Sequence, residues 1–246
     1  MIQLPLIAHG ASYDRSPPLT VTMEGLPTRS ATEVLSEVIE AAIHIILCAR
    51  GVYPLAIFER RRLHGIPVYM SRHPDLNTYI ATVLLNAKPL LRAGAVDGIA
   101  CVILGGGGEP LEYYIFQVNH LGLSGEATGG QEEDILFDIE NQMRDLLLRT
   151  MALQWHAAAL PEGRRFALRV HARDDATTCL NLDPCSALSS GRWLLATKDE
   201  TAAVSQPGRI TPLSAVASTC LNFQLLRICP LEKHMGSQES EESTRG

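Results

Sequence analysis

The sequence predicts a compact body of α-helices and β-strands, followed by a C-terminal wrapping segment with little helix. Apolar residues recur at helical spacing in three stretches, 31–50, 74–91 and 132–151. Two β-rich runs flank four glycines in 98–118, which is a hairpin pattern. From residue 174 onward, turn-rich sequence alternates with short β-like runs, which is typical of a strap rather than of a further layer.

The composition indicates one globular domain between two polar ends. Of the 246 residues, 46% are hydrophobic. Residues 1–28 carry four prolines and no usable periodicity, so we expect a flexible extension there. Residues 231–246 are polar and acid-rich, so we expect a disordered tail. The domain then spans 29–230, with its core over 29–175 and the wrapping segment over 176–230.

Charge and cysteine usage exclude several classes of function. The formal net charge of −6 argues against direct nucleic-acid binding, because phosphate contacts need clustered Lys and Arg. The basic run 59–65 is expected to be a solvated edge. No apolar run reaches about 18 residues, so no membrane contact is expected. The six cysteines form no C-x-x-C pair or zinc spacing, so we expect no metal, no cofactor and a reducing compartment.

The first helix is expected to begin with a capping box, in which Ser30 and Glu33 each satisfy a backbone N–H at the helix start. It should end near Arg50, where Gly51 can adopt the left-handed conformation. Its second half is apolar nearly all round, as in a helix at the centre of a domain. His44 lies in that half and is predicted to be a core residue rather than a ligand.

Two short extended runs, 55–61 and 65–71, precede His73–Pro74–Asp75. These three residues could belong to a catalytic or metal site, or they could simply start a helix. Proline is favoured at the first helical position, where its missing N–H is not needed. Asp75 then meets the positive end of the helix dipole. No nucleophile or second ligand lies near His73, so we predict that the trio starts a helix.

The glycine tetrad 105–108 is predicted to be the turn of the hairpin. A phosphate-binding loop is the alternative, but a strand rather than a helix follows the glycines and no G-K-[ST] is present. Further along, the third helix carries acids in its first turn. Residues 164–172 alternate as a half-buried strand, which places Arg169 and His171 together on its other face. That face is expected to be solvated, and a site lined by the two residues is the alternative. In the wrapping segment, β-like runs 192–197 and 220–228 flank a connection.

No catalytic constellation is visible in the sequence. The strings G-x-S-x-G and H-E-x-x-H are absent and the eight histidines are scattered. Triads can assemble from distant positions, so a small hydrolase or a nucleotide-binding enzyme stays open as an alternative. The expectation is a protein without catalysis.

Several strings are similar to one family, the HORMA-domain proteins, and within it to the non-catalytic accessory subunits of DNA polymerase zeta, the mitotic-arrest-deficient-like B forms. The specific strings are V-Y-P-x-x-I-F and H-P-x-L-N-x-Y-I, at 52–58 and 73–80. Further strings are K-P-L-L, V-H-A-R-D-D-A-T, W-L-L-A, R-I-T-P-L-S-A-V and L-N-F-Q-L-L-R-I. The resemblance covers residues 30–229. It implies an α+β fold, with three helices packed on an antiparallel sheet and a C-terminal safety belt that traps a partner peptide.

The resemblance also assigns site residues. Tyr79 matches an aromatic that lines the peptide channel, and Trp193 matches a belt aromatic that closes over the ligand, although from the residues alone both also fit ordinary core packing. Ile210, Gln224 and Leu226 match a surface for a scaffold translesion polymerase, the deoxycytidyl transferase. Relatives usually carry leucine and an aromatic in place of the first and last of these three.

Arg144 matches a basic residue used when HORMA domains pair, while an exposed arginine is more often simply solvated. The resemblance thus implies an adaptor for the catalytic subunit of polymerase zeta in translesion synthesis, located in the nucleus and secondarily in the cytoplasm. Other HORMA proteins or a second copy are further partners. The alternatives are a cell-cycle module that restrains an anaphase ubiquitin ligase and an adaptor for DNA end protection.

Overall fold

The chain folds as the α+β class predicted from its sequence. The computed structural model describes residues 2–5, 31–121, 130–153, 159–173, 208–217 and 221–230. In chain order the elements are β1 (Ile2–Pro5), α1 (Ala31–Ala49), β2 (Phe58–Leu63), β3 (Ile66–Ser71), α2 (Pro74–Arg92), β4 (Val96–Leu104), β5 (Pro110–Leu121), α3 (Gly130–Met151), β6 (Arg165–Ala172), β7 (Gly208–Ala217) and β8 (Leu221–Pro230). A single 3-10 turn, Leu55–Ile57, precedes β2.

Six of the described strands form one antiparallel sheet in the order β1-β6-β4-β5-β8-β7, and β2 and β3 form a separate hairpin. The glycine tetrad joins β4 to β5, and Gly108 in it has φ of +91°, a conformation that L side chains rarely adopt. The hairpin prediction is therefore confirmed. The phosphate-loop alternative is wrong, since β5 follows the glycines.

Helix α1 lies at the centre of the core. It packs against α2, α3, β3 and β5. Residues 41–47 in its second half are all buried, and Leu35, Ile39, Ile43 and Ile46 are fully inaccessible to solvent. The prediction of a central apolar helix is confirmed. Ser30, the first residue of the predicted capping box, lies outside the described residues.

The start of α2 confirms the prediction for the histidine–proline–aspartate trio. Pro74 is the first residue of the helix and Asp75 lies in its first turn. The Leu76 N–H donates to Nδ1 of His73 at 3.4 Å, so the imidazole caps the helix. The trio therefore has a local structural role at the start of this helix.

His44 is a core residue, as predicted. Its side chain is fully buried, and the Ser71 N–H donates to its Nδ1 at 3.4 Å, which joins α1 to β3. Burial lowers the pKa of His44 from 6.5 to about 4, and the positive charge of Arg61 acts in the same direction. His44 is therefore held in its neutral form.

Strand β7 corrects one sequence-based expectation. Its residues 208–217 lie within the stretch that the sequence analysis treated as a connection between β-like runs. Pro212 disrupts the β pattern there, but β7 is the outer strand of the sheet, where proline is tolerated. The register with β8 shifts between Pro212 and Ser214, so the strand bends at the proline.

The solvated face predicted for the strand at 164–172 is also wrong. Arg169 is only 4% exposed, and His171 is half-buried. The strand, β6, lies inside the sheet between β1 and β4. On this side of the sheet Ala100, across from Arg169, belongs to a second buried apolar cluster. By contrast, the basic run at 59–65 is exposed at Arg60, Arg61 and Arg62, as predicted.

A buried carboxylate joins the end of α1 to two strands of the sheet. Glu112 on β5 accepts hydrogen bonds from Nε and Nη2 of Arg50, at 2.8 and 2.9 Å. The Tyr114 hydroxyl donates to the same carboxylate at 2.8 Å. Arg227 on β8 also pairs with it. Arg227 therefore fastens β8 to β5, and Arg50 fastens the end of α1 to the same carboxylate.

Replacing Glu112 by glutamine is expected to lower the free energy of unfolding by about 3 kcal/mol or more, because Arg50 would keep a buried charge without its carboxylate. Glu59→Gln is the matched control. Glu59 pairs with Arg61 at 2.6 Å, both side chains are exposed, and its loss should cost less than about 1 kcal/mol. Urea denaturation measures both; equal losses would contradict the role given to Glu112.

Acidification should destabilise the protein through His44. The folded pKa is lower than that of the unfolded chain, so the unfolded state takes up the proton first and stability falls as pH drops below 6.5. Down to pH 4 this costs about 3 kcal/mol. His44→Asn keeps an acceptor for Ser71 but does not titrate. Urea denaturation of both proteins across this range should show a flatter dependence for the variant; parallel curves would refute the assignment.

Candidate functional site

The backbone of β6 presents hydrogen-bonding groups to its outer side. The Arg173 N–H donates to the Ala95 carbonyl at 3.0 Å, toward β4, whereas the Leu168 N–H donates to the Tyr79 hydroxyl oxygen at 3.2 Å. Successive residues of an antiparallel strand direct their N–H groups to opposite sides. The backbone N–H groups of Leu168 and Val170 therefore point away from β4, and those of the odd-numbered residues of β6 point toward it.

The outer side of β6 is only partly covered. Strand β1 pairs with residues 169–172, with Leu4 opposite Val170 and Pro5 opposite Arg169. The register ends there, so residues 165–168 have no strand partner on this side among the described residues. At this half of β6, Tyr79 of α2 bonds to the backbone instead.

An aromatic cleft of about 210 Å³ adjoins the uncovered half of β6. The ring of Phe166 meets those of Tyr79 and Tyr53 edge to face, at 5.6 and 6.1 Å between centroids. The residues that line the cleft are Tyr53, His73, Asp75, Leu76, Tyr79 and Phe166. Such a cleft beside a strand edge fits the side chain of an added strand, whose main chain would pair with β6.

Tyr79 has both of the roles weighed from the sequence. Its side chain is half-buried against the main core, and burial raises the pKa of its hydroxyl, partly opposed by the hydrogen bond from Leu168. It also lines the cleft at the strand edge. Contact with a peptide stays a prediction for Tyr79. Trp193 lies outside the described residues.

Sequence reasoning missed the two other aromatic members of the cleft. Tyr53 stands inside the V-Y-P-x-x-I-F string, and Phe166 is the first apolar residue of the alternation in β6. Those two patterns were visible in the sequence. Their closeness was not, because the side chains come from a loop and a strand far apart along the chain.

The three residues predicted for a second partner lie together on one side of the sheet. Phe223 and Leu225 of β8 are buried in the main core, so the alternate residues Gln224 and Leu226 face the side opposite the helices. Ile210 on β7 shares that side and is 61% exposed. The structure thus brings the three residues together, and their binding role stays a prediction.

Gln224 is partly engaged within the domain. Its Nε2 donates to Oε1 of Gln117 at 2.7 Å, across the β5–β8 pair. Leu226 is half-buried next to Ile115, its partner on β5. A docking partner at this surface would meet apolar area at Ile210 and Leu226 and one amide already fixed in orientation.

Arg144 fastens α3 to the turn between β2 and β3. Its Nε donates to the His64 carbonyl at 2.6 Å, and its Nη1 donates to Asn141 at 3.2 Å. His64 has φ of +46°, which is uncommon for a residue other than glycine. The half-buried arginine therefore stabilises this turn. Its part in pairing with other HORMA domains stays a prediction.

Metal-binding and membrane-spanning features were sought in the same part of the chain. The described residues contain no group of three or more His, Cys, Asp or Glu side chains that could hold a metal ion. None of the described helices is both long enough and apolar enough to cross a bilayer.

Comparison with known proteins identifies the family. The chain is 34% identical over 193 residues to the mitotic spindle assembly checkpoint protein MAD2B of Gallus gallus, a match that covers 78% of this chain and 88% of the relative. The chain belongs to the MAD2B family of HORMA-domain proteins. The human MAD2B is 33% identical over the same length. DNA polymerase zeta subunit 2 of Drosophila melanogaster is 29% identical, over 79% of this chain and 95% of the relative.

Solved structures agree with the HORMA fold of this MAD2B relative. A chain of the mitotic checkpoint complex superposes with a TM-score of 0.64 at 18% identity, covering 82% of this chain and all of that one. HTP-1 of C. elegans, bound to the HIM-3 closure motif, gives 0.56 at 14% identity, over 81% and 89%. These likenesses show the fold alone. No protein-family model matches the sequence.

Removing the Tyr79 hydroxyl should loosen the β6 edge. In Tyr79→Phe the Leu168 N–H loses its acceptor, so we expect a loss of about 1 kcal/mol in unfolding free energy and faster hydrogen exchange at Leu168. Tyr69→Phe is the matched control, because that hydroxyl accepts only from exposed Arg60. Its effect should stay within about 0.5 kcal/mol. Unchanged exchange at Leu168 in Tyr79→Phe would contradict the bond.

Proposed function

We propose that this MAD2B-family protein is a non-catalytic adaptor that captures an extended segment of a partner along the outer side of β6. The observation that carries the proposal is the half of β6 that has no strand partner among the described residues, where the Leu168 N–H is held by the Tyr79 hydroxyl, together with the aromatic cleft beside it. A partner strand would gain affinity from main-chain hydrogen bonds and specificity from a side chain seated in the cleft.

The partner that we propose is the catalytic subunit of DNA polymerase zeta. The Drosophila relative is named as a subunit of that polymerase, and the worm HTP-1 structure contains a bound closure motif. In this proposal the residues 176–230 act as a safety belt over the captured segment, and Trp193 closes over it. The domain limits and a disordered 231–246 remain part of the proposal, whereas residues 2–5 of the expected flexible extension 1–28 form strand β1.

A second partner is proposed for the side of the sheet that carries Ile210, Gln224 and Leu226. This partner is the scaffold translesion polymerase, the deoxycytidyl transferase. The surface lies on the face opposite the helices, so both partners have separate places on the domain. We also propose that this domain pairs with other HORMA domains and that Arg144 takes part in that interface. The function would be translesion synthesis in the nucleus, where contact with DNA comes through the partners.

A cell-cycle function is the second candidate. The vertebrate relatives carry the name of a spindle assembly checkpoint protein, which favours a signalling adaptor. Affinity purification of the tagged full chain from cells of its own organism, followed by mass spectrometry, separates the two. Recovery of polymerase zeta supports the first proposal, whereas recovery of an anaphase ubiquitin ligase without the polymerase supports the second.

Tyr79→Ala and Trp193→Ala should each weaken capture of the polymerase segment by about tenfold or more, because large aromatic side chains contribute most to such interfaces. Overlapping synthetic peptides that cover the catalytic subunit serve as probes, and fluorescence anisotropy measures binding. Tyr69→Ala, outside the cleft, is the control.

Circular dichroism of all three variants checks that the domain stays folded. Peptide binding at parental strength by both folded cleft and belt variants would refute the assignment of Tyr79 and Trp193.

A further inference from the structure

The N-terminal strand β1 lies on the strand edge that the proposed function assigns to the partner. Residues 2–5 pair antiparallel with residues 169–172 of β6, and no other described strand borders β6 on that side. We propose that this segment of the chain is a built-in competitor, which pairs with β6 when no partner is bound and must leave before a partner strand can pair along the whole of β6. The inference rests on the proposed function.

The directions of the backbone N–H groups are those expected for hydrogen-bonded pairing between β1 and β6. The N–H groups of Val170 and Ala172 point away from β4, because that of Arg173 points toward β4 and that of Leu168 points away from it. With Leu4 opposite Val170 and Ile2 opposite Ala172, these two residues of β1 direct their N–H groups at β6. They are therefore the residues that hold β1 in place.

The proline of β1 occupies the position where it does no harm. Alternation turns the backbone nitrogens of Gln3 and Pro5 to the outside of the sheet, where no strand needs a donor. Pro5 has no N–H to offer, so the outer edge of β1 lacks a donor at that position. A strand that pairs on its inner side and ends in proline covers the edge of the sheet and offers fewer backbone donors to a further strand.

Strand β1 is also short enough to be displaced. It has four residues, whereas β6 has eight. A partner strand pairing along all of β6 would make more ladder bonds and reach the aromatic cleft, which the register of β1 does not. The advantage of β1 is its covalent connection through residues 6–30, which raises its effective concentration to the order of a millimolar.

Two proline variants of the full chain separate competition from other effects. Leu4→Pro removes an N–H that points at β6, so β1 should detach, and the Val170 amide should exchange hydrogen faster by tenfold or more. Gln3→Pro introduces the same residue where the nitrogen points outward, so Val170 should stay protected. The Leu168 amide, bonded to Tyr79, is the internal reference and should not change. Equal protection of Val170 in both variants would overturn the pairing.

Competition is measured with the overlapping peptides of the catalytic subunit of polymerase zeta. If β1 covers the edge in about nine molecules of ten, Leu4→Pro should bind its best peptide about tenfold more tightly than the parent and Gln3→Pro. Equal affinity in the three proteins would overturn the competition.

Two further outcomes are distinct. Absence of peptide binding by any of the three, with Val170 released only in Leu4→Pro, would refute the proposed polymerase function but leave the intrachain pairing intact. Protection of Val170 that rises with protein concentration would show that residues 2–5 come from a second copy, which overturns competition within one chain.

Discussion

The position of β8 depends on one buried carboxylate. Glu112 binds Arg50, which is 62 residues away along the chain, and Arg227, which is 115 residues away. A slip of β8 by one residue would turn Arg227 to the other side of the sheet and take Phe223 out of the core. A buried ion pair adds little net stability compared with apolar packing, but a misplaced partner is costly. The interaction therefore fixes which register of β8 is tolerated.

The rest of the sheet follows from that placement. Because β8 takes the outer side of β5, β7 becomes one border of the sheet and β6 lies toward the other. Helix α2 runs beside β6 and contributes Tyr79, so aromatic side chains gather where the backbone is least covered. The residues Ile210 and Leu226 lie on the face without helices. In the proposed function, the edge of β6 would hold one protein by its backbone, and the side of the sheet that carries Ile210 and Leu226 would dock another.

Local chemistry predicted the elements well. The helix start was predicted from His73, Pro74 and Asp75 alone, and the hairpin turn from the glycine tetrad alone. In both cases the interactions that determine the structure lie within a few residues of one another. Sequence reasoning failed where the reason is distant. Arg169 was predicted to be solvated because the sequence does not show that its strand lies between β1 and β4. Strand β7 was not predicted because Pro212 interrupts the β pattern, and only the structure shows that the strand is at the border of the sheet. Family resemblance supplied the fold and Tyr79, but neither the partners of Glu112 nor the place of residues 2–5.

The short cover over β6 has a consequence for the protein alone in the cell. A bare row of main-chain donors and acceptors is a template on which identical molecules stack and aggregate. Residues 2–5 and the Tyr79 hydroxyl together occupy much of that row. By occupying those groups, β1 and Tyr79 remove a template for edge-to-edge association, so the backbone groups proposed for recognition are the same ones that need protection from aggregation.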